Sequence, residues 1–223
     1  MKTIILAAGR GERMQPLTDT TPKPLLKVGG KRLIEYTIEA LVGAGLRDIV
    51  INHAHLGEQF PAALGDGNRY GASIQYSNEH QGRLETAGGI INALPLLGDG
   101  PFLVVNGDIW TDYPFAHLAT RTLAENESCY LVLVPNPEHH PSGDFALSSG
   151  LITEDGPEKY TYSGMGLYHP SLFADLPSKP MPLKPILVKA INAKQASGEV
   201  YRGQWSDIGT VSRLTALSDQ LSY

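Results

Sequence analysis

Lys23 stands between Pro22 and Pro24, and shortly upstream Gly9, Arg10, Gly11, Glu12 and Arg13 follow the apolar run Thr3-Ile-Ile-Leu-Ala-Ala8. Glycines at 9 and 11 relieve the steric conflict of a sharp turn after a strand and let backbone N–H groups approach an anion. Arg13 and Lys23 add positive charge, and the flanking prolines lower the ordering cost of holding one lysine in place. That combination suits a polyphosphate. Two carboxylates lie far downstream, Asp108 in Val104-Val-Asn-Gly-Asp108 and Asp207 in Trp205-Ser-Asp-Ile-Gly-Thr210. Brought together by the fold, they would offer oxygen ligands to magnesium; taken singly, each also fits a turn or cap acceptor.

Other chemistries fit less well. A dinucleotide fingerprint needs glycine where Met14 stands and an acidic residue where Asn52 ends its apolar run. No Gly-Lys-Ser/Thr occurs, which excludes a Walker P-loop. His53 and His55 are two apart and His139 and His140 adjacent, without a nearby cysteine or a helical partner, a spacing that disfavours zinc. Cys129 is the single cysteine, so no internal disulfide can form, and its setting in Ser128-Cys-Tyr-Leu-Val-Leu-Val134 predicts a buried strand residue.

The elements that must position these groups alternate in type. Apolar, β-branched runs at Thr3–Ala7, Asp48–Ile51, Ile74–Ser77, Phe102–Val105 and Ser128–Val134 predict strands, mostly without in–out alternation. Helical spacing falls between them at Arg32–Val42, Leu56–Leu64, Thr86–Ala93 and Pro114–Glu125. This predicts an α/β, Rossmann-like, mostly parallel sheet that includes some antiparallel pairing, with helices on both faces. Ligands in such folds sit beyond the carboxyl ends of the strands, where the Gly9 loop, Ser77-Asn-Glu79 and Asn106-Gly-Asp108 all fall.

Beyond Pro135 the pattern changes: a loop, a hairpin of Phe145–Ser148 and Leu151–Thr153 turning at Ser149-Gly150, a strand at Lys159–Tyr168, a helix within Pro182–Gln195 and a last helix near Val211–Ser218. We read residues 1–135 as a nucleotide-binding core, 136–200 as a small sugar-binding lobe and 201–223 as a closing segment with the second carboxylate. The formal charge of −5 without a basic run disfavours nucleic acid or an anionic membrane as partner. The apolar stretch after Lys2 is too short for a signal segment and no run reaches a membrane span, so a cytoplasmic, monomeric protein is expected.

Leu6-Ala-Ala-Gly-Arg-Gly-Glu-Arg-Met-Gln-Pro-Leu-Thr18 with Pro22-Lys-Pro24 resembles the signature of the bacterial sugar-1-phosphate nucleotidyltransferase family. The resemblance implies that an NTP and a sugar 1-phosphate give an NDP-sugar and pyrophosphate. Ala8, Gly9 and Gly11 through Arg13 would then hold the nucleotide phosphates, Arg13 favouring the leaving β/γ group and Lys23 the reacting phosphates. Asp108 and Asp207 would hold Mg2+. Ser77-Asn-Glu-His80 and Leu84-Glu-Thr-Ala-Gly-Gly89 are similar to the base and ribose segments, which implies Glu79 on donor edges of the base or ribose, and Ala87 and Gly88 close to both. Glu85 stands where many relatives have glycine. Tyr162-Ser-Gly-Met-Gly-Leu-Tyr168 resembles the strand along the acceptor sugar, implying contacts from Gly164, Tyr162 and Tyr168. Lys159 is the candidate to replace the lysine of the Glu-Glu-Lys-Pro motif of larger relatives. The compact outline is most similar to the branch that transfers uridylyl groups from UTP to N-acetylmuramate 1-phosphate in cell-wall recycling; guanylyl transfer to mannose 1-phosphate or thymidylyl transfer to glucose 1-phosphate is the alternative. A catalytically silent nucleotide sensor would need the loop but not both aspartates.

Overall fold

The structure, a computed structural model, describes residues 1–79 and 82–221. In chain order its strands are β1 (Thr3–Leu6), β2 (Lys27–Val28), β3 (Lys31–Arg32), β4 (Asp48–His53), β5 (Ser73–Asn78), β6 (Phe102–Asn106), β7 (Ile109–Thr111), β8 (Cys129–Val134), β9 (Phe145–Ser148), β10 (Leu151–Thr153), β11 (Lys159–Tyr168), β12 (Ala196–Val200) and β13 (Trp205–Asp207). The α-helices are α1 (Leu33–Gly43), α2 (Gln59–Leu64), α3 (Glu85–Leu97), α4 (Ala116–Thr120), α5 (Lys184–Asn192) and α6 (Val211–Gln220).

Nine strands form one sheet in the order β5-β4-β1-β6-β11-β8-β12-β10-β9. The first four are parallel, while β11 runs antiparallel to both β6 and β8. The central strands lack in–out alternation because both faces are covered. Ile4, Val50, Phe102, Val104, Leu131 and Leu133 pack on one side with α3 and α5. Ile5, Ile49, Ile51, Leu103, Val105 and Val132 pack on the other with α1, α2 and α4. Each large side chain so removed from water contributes about 1.5–3 kcal/mol. Cys129 is fully buried in β8, and burial pushes its thiol up to about 12.

A third, smaller cluster joins two segments that are distant in the chain. Met14 and Ile208, both inaccessible to solvent, share it with Val28, Leu33 and Leu217. It ties the turn carrying Arg13 to the segment following Asp207, two regions almost two hundred residues apart in sequence.

Several boundaries differ from expectation. The helix expected over 114–125 stops at Thr120, where Arg121 turns extended, its guanidinium 3.9 Å from the Tyr130 ring centroid and bonded to Glu127. The helix expected from Leu56 begins at Gln59, because Leu56 has φ of +53°. The β9–β10 hairpin turns as expected at Ser149-Gly150, both with positive φ, the backbone of a tight two-residue turn. Not foreseen was β12, which inserts parallel to β8 and continues the sheet into β10 and β9. No described helix is long and apolar enough to cross a membrane.

Candidate active site

A cavity of about 780 Å3 opens at the carboxyl ends of β1, β4 and β6. β1 delivers Leu6, Ala7, Ala8 and Gly9 into its wall. A Cβ placed on Gly9 would meet only open space, so the room beside this backbone is left for something other than protein. Gly11 does a different job. Its φ is +69°, and a Cβ there would come within 2.8 Å of Thr18 Cγ2, while its carbonyl accepts the Thr18 hydroxyl at 2.9 Å. It shapes the loop from outside the cavity wall.

Lys23 opens a short 3-10 turn and is only 8% exposed; its Nζ lies 2.5 Å from Asp108 Oδ2. Both line the cavity. Asp108 occupies the tight connection between β6 and β7, and β7 pairs antiparallel with β13 so that Asp207 faces Ile109. The Ile208 N–H donates to the Asp108 carbonyl at 2.7 Å. The two aspartates, 99 residues apart in sequence, thus meet through their backbones at one end of a two-stranded ladder, Asp108 lining the cavity and Asp207 lying outside its wall.

Asp207 has its own partners. Arg213 Nη1 is 2.5 Å and His139 Nε2 2.9 Å from Asp207 Oδ1. Arg13 reaches the same corner, outside the cavity wall: an ideal Cβ on Gly209 would lie 2.6 Å from Arg213 Nη2 and 2.9 Å from Arg13 Nη2. Sequence reasoning missed Arg213 and His139; a basic residue in the first turn of α6, where the helix dipole disfavours it, was the available signal for the former.

The base side departs from expectation at Ala87 and Gly88 and adds a brace at Glu79. Glu79 is 4% exposed and its carboxylate faces the protein, Oε1 accepting from Asn52 Nδ2 at 2.7 Å and Oε2 from the Leu84 N–H at 2.9 Å. Asn52 Oδ1 in turn accepts the Ala7 N–H at 2.8 Å. Glu79 lines the cavity and also braces the end of β1 against the start of α3. Burial holds its carboxyl above the ordinary carboxylate range. Gly89 makes room for this brace, since a Cβ there would sit 2.6 Å from both Asn52 Nδ2 and Glu79 Oε1.

Ala87 and Gly88 are packed away from the cavity. Both N–H groups donate to the Met181 carbonyl, and a Cβ on Gly88 would strike the Lys179 carbonyl at 2.4 Å. The wall is built instead by Glu85 and Thr86. Glu85 has φ of +57°, the left-handed conformation that favours glycine. His80, part of the base motif, lies outside the described residues.

The acceptor side is also rearranged. Tyr162 lines the cavity, but Tyr168 is fully buried between Phe102 and Phe173 and cannot contact a sugar. Their hydroxyls share a hydrogen bond of 2.7 Å, and burial raises both phenols. Lys159 is turned to Asp155 at 3.2 Å and does not line the cavity. Gly164 acts indirectly: its φ is +81° at a bulge in β11, and a Cβ would strike the side chain of Asn106 at 2.5 Å. The glycine therefore seats Asn106, which lines the cavity, rather than admitting a sugar ring directly. The bulge is further pinned by Trp205 Nε1, which donates to the Ser163 carbonyl at 3.0 Å. Asp144 and Lys184, which the sequence reading passed over, join Tyr162 on this wall.

The cavity thus joins a strand-end glycine loop to the Lys23–Asp108 pair, with Asp207 next to it beyond the wall. The family model for nucleotidyl transferases matches residues 2–222. The chain belongs to the nucleotidyl transferase family. The N-acetylmuramate alpha-1-phosphate uridylyltransferase of Neisseria meningitidis serogroup B is 52% identical over 220 residues, covering 96% of this chain and 95% of that protein. The enzyme of the same description from Caulobacter vibrioides is 34% identical, covering 92% and 90%. Among solved structures, a Bacillus anthracis chain provisionally assigned as a glucose-1-phosphate thymidylyltransferase and crystallised with sucrose superposes with TM-score 0.87 over 100% of this chain and 95% of that one. At 22% identity that likeness speaks for the nucleotidyl transferase fold alone.

Proposed function

We propose that this nucleotidyl transferase moves the uridylyl group of UTP to N-acetylmuramate 1-phosphate, releasing pyrophosphate and forming UDP-N-acetylmuramate. The observation that supports the reaction class is the Lys23–Asp108 pair within the cavity wall, to which the β7–β13 ladder brings the Asp207 backbone. The choice of acceptor and base follows the 52% identical Neisseria relative. Residues 1–135 would hold the nucleotide, 136–200 the acceptor, and 201–223 supply Asp207.

A phosphate monoester loses its second proton near pH 6, so the acceptor oxygen needs no protein base at neutral pH. It attacks the α-phosphorus; the bond from that phosphorus to the bridging oxygen breaks, and pyrophosphate leaves. The protein's task is alignment and charge. Ala8 and Gly9 present backbone to the phosphates, Lys23 offers its ammonium to the reacting oxygens, and Arg13 with Arg213, beyond the wall beside Asp207, adds positive charge for the departing end. The donor set fits magnesium: two carboxylates, oxygen only, now neutralised by Lys23 and Arg213, with phosphate oxygens to complete the shell. Bound by Asp108 and Asp207, Mg2+ would supply Lewis-acid neutralisation of phosphate charge. We place this activity in the cytoplasm, in cell-wall recycling, carried out by a monomer.

The test is pyrophosphate release from a panel of UTP, GTP and dTTP against the 1-phosphates of N-acetylmuramate, mannose and glucose. Release confined to, or at least tenfold faster with, UTP and N-acetylmuramate 1-phosphate is expected. A maximum at GTP with mannose 1-phosphate, or at dTTP with glucose 1-phosphate, overturns the substrate assignment. Nucleotide binding without release from any pair overturns the reaction and favours a sensor.

A further inference from the structure

The half of the cavity built by residues 144–187 contains a cation of its own. Lys184 opens α5 directly before Pro185, whose ring fixes the backbone, and follows the buried Leu183. Its Nζ is 3.2 Å from Asp144 Oδ1 and 5.7 Å from the Phe145 ring centroid. Asp144 is anchored independently, its Oδ2 accepting the Tyr162 N–H at 3.1 Å and lying 3.4 Å from His140 Nε2. The lysine side chain remains 62% exposed. A long, exposed ion pair of this kind is weak, which leaves the ammonium available to an incoming anion.

Its position along β11 says which anion. At Gly164 the strand abuts Asn106, two residues before Asp108, which marks the reacting end. Tyr162, whose N–H holds Asp144, lies two residues back on the other side of the bulge and lines the same cavity. The acceptor phosphate, as nucleophile, must lie at the Asp108 end, so the group reaching Lys184 comes from the far side of the sugar. N-acetylmuramate carries one anion there, the carboxylate of its lactyl ether on C3. Phe145, Leu183 and Leu187 supply an apolar floor for the lactyl methyl and the sugar face.

We propose that Lys184 binds the lactyl carboxylate and is the residue by which the enzyme selects a muramyl over a glucosaminyl acceptor, with Asp144 positioning the ammonium and accepting a sugar hydroxyl. This rests on the substrate reading above. The test measures Kd by calorimetry for UDP-N-acetylmuramate and UDP-N-acetylglucosamine, which differ only in the lactyl ether, on wild type, K184A, K184Q and K184R. Turnover of N-acetylmuramate 1-phosphate is read alongside. The expected result is at least about tenfold weaker UDP-N-acetylmuramate binding in K184A and K184Q, the loss of one charge-assisted hydrogen bond. UDP-N-acetylglucosamine binding should move less than twofold, and K184R should recover part of the loss. Equal weakening of both ligands, or of neither, overturns the inference while wild-type turnover of N-acetylmuramate 1-phosphate leaves the parent reading intact. Wild type that does not turn over N-acetylmuramate 1-phosphate overturns both.

Discussion

Gly89→Ala sets two opposing effects against each other at one atom. In an exposed helix interior the change stabilises by about 1 kcal/mol, because alanine loses less backbone freedom on folding. At Gly89 the new Cβ would lie 2.6 Å from both Asn52 Nδ2 and Glu79 Oε1, between the partners of a 2.7 Å hydrogen bond. Ordinary van der Waals contact needs each to retreat by about 0.8 Å. Buried against α3, neither can do so and keep the bond. Each buried group left without its partner costs about 1–3 kcal/mol, so the loss outweighs the helix gain and a net destabilisation of about 2–4 kcal/mol is expected. Urea unfolding is the assay, read as a lower midpoint at unchanged slope. Gly43→Ala is the matched control: a Cβ there meets nothing within 4 Å, and stability should rise by up to about 1 kcal/mol. Because the same brace holds the Ala7 and Leu84 N–H groups, the KM for UTP should also rise in the Gly89 variant. A Gly89→Ala midpoint equal to or above wild type would refute the reasoning.

Glu79→Gln separates burial from charge. A carboxyl raised above its unfolded value binds its proton more tightly when folded, so its contribution is full below the unfolded value and is lost as pH rises through the folded one. The stability of wild type relative to the glutamine variant should therefore decline as pH rises above about 4.5, followed as midpoint against pH; a constant difference would contradict it. Lys23→Met should lower kcat by roughly 10²–10³ with a smaller change in KM, as for loss of a group that stabilises developing charge; a pure KM effect would assign Lys23 to ground-state binding. Cys129, with its thiol at about 12, should resist a thiol reagent at pH 8 in the native protein and react fully on unfolding.

The sheet was legible because its strands advertise themselves: Ile4, Ile5 and Phe102 through Val105 are apolar on both faces, which only a doubly covered strand needs. Asp108 was legible as a carboxylate ending such a strand. Asp207 was visible only as a possibility, since its neighbour on the ladder is far away in sequence and pairing register is a tertiary property. Gly88 and Gly164 were recognised as special but assigned to the ligand, whereas they abut the Lys179 backbone and Asn106, and Gly89, not singled out, makes room for the Asn52–Glu79 brace. A sequence says that a side chain is unwelcome, not what would collide with it. Asn52 carried an unread signal, an amide ending the run Ile49-Val-Ile-Asn52, where a buried polar group must find partners. Lys184 carried another, a lysine held before a proline as Lys23 is.

The claim that Asp108 and Asp207 act as one unit around one divalent ion is tested most directly by a double-mutant cycle. D108N, D207N and the double variant would be titrated with Mn2+ in the presence of UTP, with binding followed by electron paramagnetic resonance. If the two carboxylates share an ion, the second substitution adds little to the first, and the double variant binds Mn2+ about as weakly as the poorer single one. Losses that multiply independently across the cycle, or either single variant binding Mn2+ as wild type does, would contradict the account.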